Sequence, residues 1–374
     1  MLKVSIVGSV GIPARYGGFE TLVQYLTYYL GRKLDITVYC SGPTYRNDKR
    51  KSYNKAHLKY IPLSGNGIQS VIYDIVSFIH AVCSSDVVLV LGVSGSIILP
   101  FYRIFNRTKR IITNIDGLEH KRQKWSKLAR AYLKFSERMA VKYSDVVLSD
   151  NKAIQRYVKQ EYGIDSVFIP YGGDHVEKIA LKDRFREKYR LPNTYAFKVC
   201  RIEPENNIHL VLEAFNKMQR PLVVVGNWDN SKYGRQLREK YADIPYLILL
   251  DPIYNQKILN QLRSNATLYI HGHSAGGTNP ALLEAMSLGL PVFAFDCPYN
   301  RETTYDKAVY FRDEDELYEL ISTNGKQEML RKLGQEMYVL AHEQYTWDKI
   351  TRQYMDLFLS HRYSDEKVAK KAKK

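Results

Sequence analysis

From one end of the chain to the other, short runs of β-branched and aliphatic residues alternate with longer stretches in which apolar positions recur every three or four residues. Continuously apolar runs belong to strands covered on both faces, and the stretches between them to amphipathic crossover helices. Together they predict parallel sheets and an α/β fold. In the first half the strand runs are LKVSIVG, DITVYC, KYIPL, DVVLVLG, RIITNID, DVVLSD and SVFIPYG, which predict one parallel-sheet lobe over residues 1–175. In the second half YAFKVCRI, PLVVVGN, YLILLD, ATLYIHG, PVFAFD and AVYF predict another over residues 194–345. The polar stretch from Asp174 to Asn193 is the expected joint. YTWDKITRQYMDLF predicts a final amphipathic helix over 346–362, and a basic tail follows at 363–374. Open parallel sheets bind ligands at the carboxyl ends of their strands, so two such lobes predict a site in the cleft between them.

Length agrees with this division, since 374 residues suit two domains that each bury a core. Charge adds something the pattern does not show. Residues 1–175 carry 25 lysines and arginines against 13 acids, so most of the net +16 lies in the first lobe. Such a lobe calls for an anionic neighbour: nucleic acid, an anionic membrane leaflet or phosphorylated substrates. No nucleic-acid-binding module or basic strand face with interleaved aromatics is present, so nucleic acid is not the expected partner. Cys40, Cys83, Cys200 and Cys297 are far apart and form no CxxC pair, which predicts neither a zinc site nor a disulfide framework and fits a reducing compartment. The opening MLKVSIVGSVG reads as a strand and turn, not a signal peptide, and Val87 to Tyr102 is too broken by Gly, Ser and Pro for a membrane span. A soluble or peripheral protein is expected.

Two glycine-rich segments carry candidate chemistry. GSVGIPARYGGFE lacks the spacing of a dinucleotide fingerprint or a Walker loop, but Gly17 and Gly18 precede a helix whose first N–H groups suit a phosphate, with Arg15 as an added charge. HSAGGTNPALLEAM is the more informative. Gly276 and Gly277 open the backbone, Thr278 or Asn279 caps a helix, Pro280 fits its first turn, and Glu284 follows about one turn in, placed to accept two hydroxyls such as those of a ribose. In the first lobe NIDGLEHKRQKW ends a strand at the expected cleft. Asp116 is the best-placed contact, with Glu119, His120 and Arg122 as acceptor-side candidates. From Gln123 to Lys142 a helical projection puts Trp125, Leu128, Tyr132, Phe135 and Met139 on one face, expected to be buried. Lys127, Arg130, Lys134 and Arg138 fall on a largely opposite face, available to an anionic membrane. The acids from Asp313 to Glu316 read as a solvated first helical turn, so no metal and no cofactor are expected.

PARYGGFET, NIDGLEHKR, SDNKAI, IPYGG, RIEPENN and GGTNPALLEAM, in this order along nearly the whole chain, resemble the family 4 retaining glycosyltransferases, and within them the bacterial rhamnosyltransferases of capsule and cell-wall polysaccharide synthesis. The resemblance implies a GT-B fold of two Rossmann-like lobes with a C-terminal helix returning to the first, anchored by Trp347. It implies that Arg201 neutralises the leaving diphosphate, that Glu284 binds the ribose, and that Gly17 and Gly18 face the phosphate. Two positions depart from the family. Its lysine after the arginine falls at Asn206, and the first carboxylate of its E-x7-E pattern falls at Gly276. Since that carboxylate holds donor-sugar hydroxyls in relatives, Gly276 points to a sugar of another shape, such as a 6-deoxy L-sugar. The activity so implied is transfer of L-rhamnose from dTDP-L-rhamnose to a lipid-diphosphate-linked saccharide at the inner face of the cell membrane. No protein nucleophile is needed, because the leaving phosphate takes the acceptor proton and Arg201 and Asp116 serve positioning and charge. The alternatives are a sugar-nucleotide epimerase of the same fold and a non-catalytic donor-binding subunit.

Overall fold

The computed structural model describes residues 1–371 apart from Tyr16, Asn106, Arg107, Gln123, Lys124 and Gly325, with side chains described as far as Ser360. Tyr16 of the glycine loop, Gln123 and Lys124 of the helical projection, and the side chains of the basic tail therefore lie outside the described residues. The chain forms two compact units. The first comprises Met1–His120, Ser126–Pro170 and Trp347–Lys374, and the second Lys121–Trp125 and Tyr171–Thr346.

The first unit holds β1 (Lys3–Val7), β2 (Asp35–Ser41), β3 (Ser52–Tyr53), β4 (Ala56–Ile61), β5 (Val87–Leu91), β6 (Arg110–Asn114), β7 (Val146–Ser149) and β8 (Val167–Phe168) in one sheet, ordered β3-β4-β2-β1-β5-β6-β7-β8. All neighbours are parallel except the short β3, a strand the sequence pattern did not predict, which pairs antiparallel with β4. Between these strands run the helices α1 (Gly18–Leu30), α2 (Gln69–Ser84), α3 (Leu99–Phe105), α4 (Lys127–Tyr143) and α5 (Lys152–Tyr162). Every residue of β5 is buried, as expected of a central strand with helices on both faces. Tyr73 of α2 donates its hydroxyl to the carbonyl oxygens of Ser9 and Tyr39, at 2.8 and 2.9 Å, and so pins that helix over the ends of β1 and β2.

One helix is turned differently from its projection. The inner face of α4 is Leu133, Ser136, Glu137, Ala140 and Val141, while Leu128 and Phe135 are 85% and 55% exposed. Polar contacts set this orientation. Ser136 donates to the Val93 carbonyl, Tyr132 to that of Ser94 at 2.6 Å, and Glu137 collects hydrogen bonds inside the unit. A buried carboxylate with its donors in place outweighs the burial of one or two apolar side chains.

The second unit holds β9 (Ala196–Val199), β10 (Leu222–Val225), β11 (Leu247–Leu250), β12 (Leu268–His271), β13 (Val292–Phe295) and β14 (Val309–Phe311), all parallel and ordered β11-β10-β9-β12-β13-β14. Its helices are α6 (Asp183–Lys188), α7 (Ile208–Met218), α8 (Lys232–Tyr241), α9 (Gln256–Ser264), α10 (Pro280–Ser287), α11 (Pro298–Thr304), α12 (Glu314–Asn324) and α13 (Gln327–Gln344). Strand order reverses between β9 and β12, so the switch point of this sheet lies where those two strands end. The division between units falls at Pro170 and Tyr171, earlier than the polar joint expected from Asp174 to Asn193. That segment is tied to the second unit: the Ile179 carbonyl accepts from Asn265 Nδ2 at 2.7 Å, and the Ala180 carbonyl from Gln261 Nε2 at 3.0 Å.

The last helix, α14 (Trp347–Lys371), belongs to the first unit. Trp347 stacks on Tyr25 of α1 with ring centroids 4.6 Å apart, Ile350, Tyr354 and Phe358 are buried, and Arg110 Nη1 donates to Ser360 Oγ at 2.8 Å. The α/β class with two parallel-sheet lobes and a returning C-terminal helix is thus the observed architecture.

Candidate functional site

In the first unit the glycine loop joins β1 to α1 above the point where β1 lies between β2 and β5. Its glycines are required by contact as well as by dihedral. A Cβ on Gly8, at φ 88°, would lie 2.1 Å from the Leu91 carbonyl oxygen, and one on Gly11, at φ 124°, would lie 2.6 Å from Cys40 Sγ. Glu20 and Gln24 of α1 fasten the loop, accepting from the Val10 and Ala14 N–H groups at 2.7 and 2.8 Å. Gly17 at φ 95° and Gly18 bring the chain into the helix without a side-chain cap, and a Cβ on Gly17 would lie 2.5 Å from Glu20 Oε2, so the Glu20 carboxylate borders this helix start. Arg15 is held within this unit, bonded to Asp48 Oδ2 at 3.1 Å and to the Thr44 carbonyl at 3.0 Å, with its guanidinium 4.8 Å from the Tyr45 ring centre.

After β6 the chain turns sharply. Asp116 and Leu118 both take left-handed backbone conformations, at φ 61° and 55°, and the Asp116 N–H is held by Asn114 Oδ1 at 3.0 Å. A non-glycine residue held there costs about 1 kcal/mol or more. Glu119 lies in the single turn that follows. His120 is anchored at two points, its Nδ1 3.0 Å from Glu137 Oε2 and its carbonyl 2.9 Å from Arg130 Nε. Burial alone would raise the Glu137 carboxyl, but hydrogen bonds from His120, Tyr162 and Tyr157 outweigh it and hold the group below its usual range. His120 is therefore an oriented imidazole on a buried carboxylate, not a solvated loop residue. Arg122 is buried and counts with the second unit.

In the second unit the site builds at the switch point. Arg201 follows β9 and is partly exposed, with Nε 3.8 Å from Glu203 Oε2. Asn206 closes the turn after it and is buried, its side-chain amide donating to the Arg201 carbonyl at 2.7 Å. Its side chain is committed to the turn, so it does not stand in for the family's lysine there. Asn207 Nδ2 donates to the Gly272 carbonyl at 3.0 Å, and the Ser274 N–H to the Glu205 carbonyl at 2.9 Å, so the segments following β9 and β12 are fastened together. Gly276 has φ 129°, and a Cβ placed on it would meet nothing within 4 Å. Gly277 follows, Thr278 is buried, and Asn279 caps α10 by accepting the Ala281 N–H at 3.0 Å, with Pro280 in the first turn.

Glu284 is less open than its sequence position implies. It is buried, with Oε1 3.0 Å from His175 Nε2 and Oε2 2.5 Å from Arg263 Nη2. Burial would raise this carboxyl too, but Arg263 and then His175 outweigh it and keep the group ionised. Each oxygen retains a lone pair for a hydroxyl. His175 and Arg263 were not singled out in the sequence, because only folding brings them to this helix. Nor were Lys198, His271 and His273, which line the same switch point. The rings of His271 and His273 stack at 4.4 Å between centroids, and burial followed by nearby positive charge depresses both well below the usual histidine range.

Residues 181–332 match the family described as Glycosyl transferases group 1, and residues 1–174 match one described as a domain of unknown function, DUF1972. A probable sucrose-phosphate synthase of Thermosipho melanesiensis is 23% identical over 246 residues, 59% of this chain, and the match spans 56% of that relative's length. Among solved structures, sucrose-phosphate synthase from Thermosynechococcus elongatus aligns with a TM-score of 0.81 at 15% identity, covering 97% of this chain and 100% of that one. Anabaena HepE in complex with UDP-glucose aligns with a TM-score of 0.74 at 14% identity, covering 96% and 100%. The fold is GT-B, the two-lobed architecture shared with these structures. The group 1 glycosyl transferase match falls within the second unit, and the DUF1972 match covers most of the first.

Proposed function

We propose that the chain is a glycosyltransferase that moves L-rhamnose, with retention, from dTDP-L-rhamnose to a lipid-diphosphate-linked saccharide at an anionic membrane surface during capsule or cell-wall polysaccharide synthesis. The observation that carries the donor assignment is Gly276. At the position where family 4 relatives place a carboxylate for donor-sugar hydroxyls, this chain has open space and a backbone conformation that disfavours any side chain. A sugar lacking a hydroxyl leaves no partner unsatisfied there. The nucleotide would occupy the switch point of the second unit, with its diphosphate near Arg201, the Gly276–Gly277 backbone and the start of α10, and its ribose on Glu284. Arg201 would stabilise the leaving diphosphate, which takes the acceptor proton itself. Asp116, Glu119, His120 and Arg122 remain the acceptor-side candidates, with Asp116 the closest to catalysis, and Gly17 and Gly18 remain candidates for the phosphate. No metal or cofactor enters this scheme.

A second reading, a UDP-hexose donor, is motivated by the UDP-glucose held by HepE. Thermal stabilisation of the purified protein by dTDP, UDP and GDP separates the two. The expected order places dTDP clearly first, and transfer from dTDP-L-rhamnose into a native lipid-linked extract gives an added mass of one deoxyhexose. A clear preference for UDP, with a hexose added, overturns the donor assignment.

A further inference from the structure

Lys198 stands on β9 with its side chain 1% exposed, and among the described residues its ammonium has no hydrogen-bond or ion-pair partner. Burying a lone ammonium costs several kcal/mol, and a strand position packed in a sheet is ordinarily filled by an apolar residue for that reason. The position of the charge is specific. A Cβ on Gly272 would lie 2.8 Å from Lys198 Nζ and 2.5 Å from the Asn206 carbonyl oxygen, so the ammonium lies close beneath the turn that ends at Asn206. Gly272, lacking a side chain, is what lets the ammonium and the Asn206 carbonyl come this close. Around the ammonium stand His271 and His273, whose imidazoles its charge helps keep neutral, and His273 is also lowered by Arg201. The donor end of the switch point thus gathers two basic side chains at the end of one strand, Arg201 and Lys198, the latter with its ammonium pushed below the usual lysine range by burial.

We propose that Lys198 supplies, from the floor of the second unit, the cation for the diphosphate of the sugar donor that relatives place on the turn at the position of Asn206. This rests on the nucleotide-sugar reading above. The four-carbon stem lets the ammonium reach the phosphate oxygens, where a charge-assisted hydrogen bond replaces the water it lost on folding. In the same step an unpaired buried charge becomes a paired one. Lys198 is accordingly a binding residue for the diphosphate, with no part in recognising the base or ribose.

The test compares the wild type with Lys198→Met and with the double variant Lys198→Met, Asn206→Lys. The ligands, followed by calorimetry, are the nucleoside diphosphate that best stabilises the wild type and its bare nucleoside. The expected result is a loss of about 10- to 100-fold in diphosphate affinity for Lys198→Met, with nucleoside affinity unchanged, and partial recovery of the diphosphate affinity in the double variant. Removing an unpaired buried charge should leave the ligand-free melting temperature equal to or above that of the wild type. Lys198→Gln, which keeps a polar head, should show the same selective loss. Diphosphate affinity within twofold of the wild type in both single variants overturns the proposal, as does equal loss of nucleoside and diphosphate, which marks a purely structural role. A wild type that binds no nucleoside diphosphate at all instead overturns the donor reading on which the proposal stands.

Discussion

A carboxyl taken out of water without a cation beside it gives up its charge, and Asp74 is in that position. It is buried on α2, accepts a hydrogen bond from Ser94 Oγ and has no ion-pair partner among the described residues. Burial pushes its pKa up to about 7, only partly offset by Ser94. In the unfolded chain the group ionises near its ordinary value of about 4. Between about pH 4 and 7 the folded state therefore holds a proton that the unfolded state has lost. Stability falls as pH rises through that window and is level above it. Asp74→Asn has no such titration. Its melting temperature should match the wild type near pH 4 and exceed it by several degrees at pH 8, with the gap opening between those limits in thermal scans across pH. A pH-independent difference would place the carboxyl's role elsewhere. Residues of this kind mark the limit of what the sequence discloses. A cap at Thr278 or Asn279 reads from the neighbours alone, because capping is local, and the structure gives it to Asn279; Gly276 reads as a departure because a family pattern passes through it. Glu284 reads only in part, since its partners His175 and Arg263 lie far along the chain. Lys198 in a strand run shows nothing until β9 and β12 become neighbours.

At the scale of elements, strands were the most legible feature, because a central parallel strand such as β5 admits almost nothing but apolar residues. Helix existence was legible as well, but helix rotation was not. The projection of α4 weighed its apolar residues and passed over Glu137, whose hydrogen bonds turn the helix so that Leu128 and Phe135 point outward with Ala131, Arg138 and Lys142. Its neighbour α3 likewise exposes Ile104 and Phe105, at 72% and 86%. Exposed aromatic and aliphatic side chains beside a basic stripe are what a shallowly bound peripheral protein offers to an anionic leaflet. We therefore expect the protein to co-float with vesicles containing anionic lipid and to be released by salt. Leu128→Ser with Phe135→Ser should weaken that binding several-fold while changing unfolding stability by less than about 0.5 kcal/mol, as suits exposed positions. Arg138→Glu with Lys142→Glu should weaken it further and flatten the salt dependence. Equal binding to neutral and anionic vesicles, or binding indifferent to all four changes, removes the membrane from the scheme.

On the scale of the whole chain, the first unit is discontinuous in sequence, and this makes its stability depend on residues far from its sheet. Trp347 is 1% exposed and stacked on Tyr25, and Ile350, Tyr354 and Phe358 continue the buried stripe of α14 along the same unit. A fragment ending at Pro170 would expose the surface of α1 that Trp347 covers. It would also lose a helix whose packing contributes several kcal/mol of burial, at about 25 cal/mol for each Å² of apolar surface. That is comparable to the whole stability of an ordinary domain. Trp347→Ala in the full chain should cost about 3 to 5 kcal/mol. Because each unit has its own sheet and core, that loss should appear in the unfolding of the first unit, leaving the second unit's transition near its wild-type temperature. Two separate calorimetric transitions, only the lower one moved, are the expected result. A single transition shifted as a whole would mean that the two units unfold together, and that α14 stabilises the entire molecule and not one half of it.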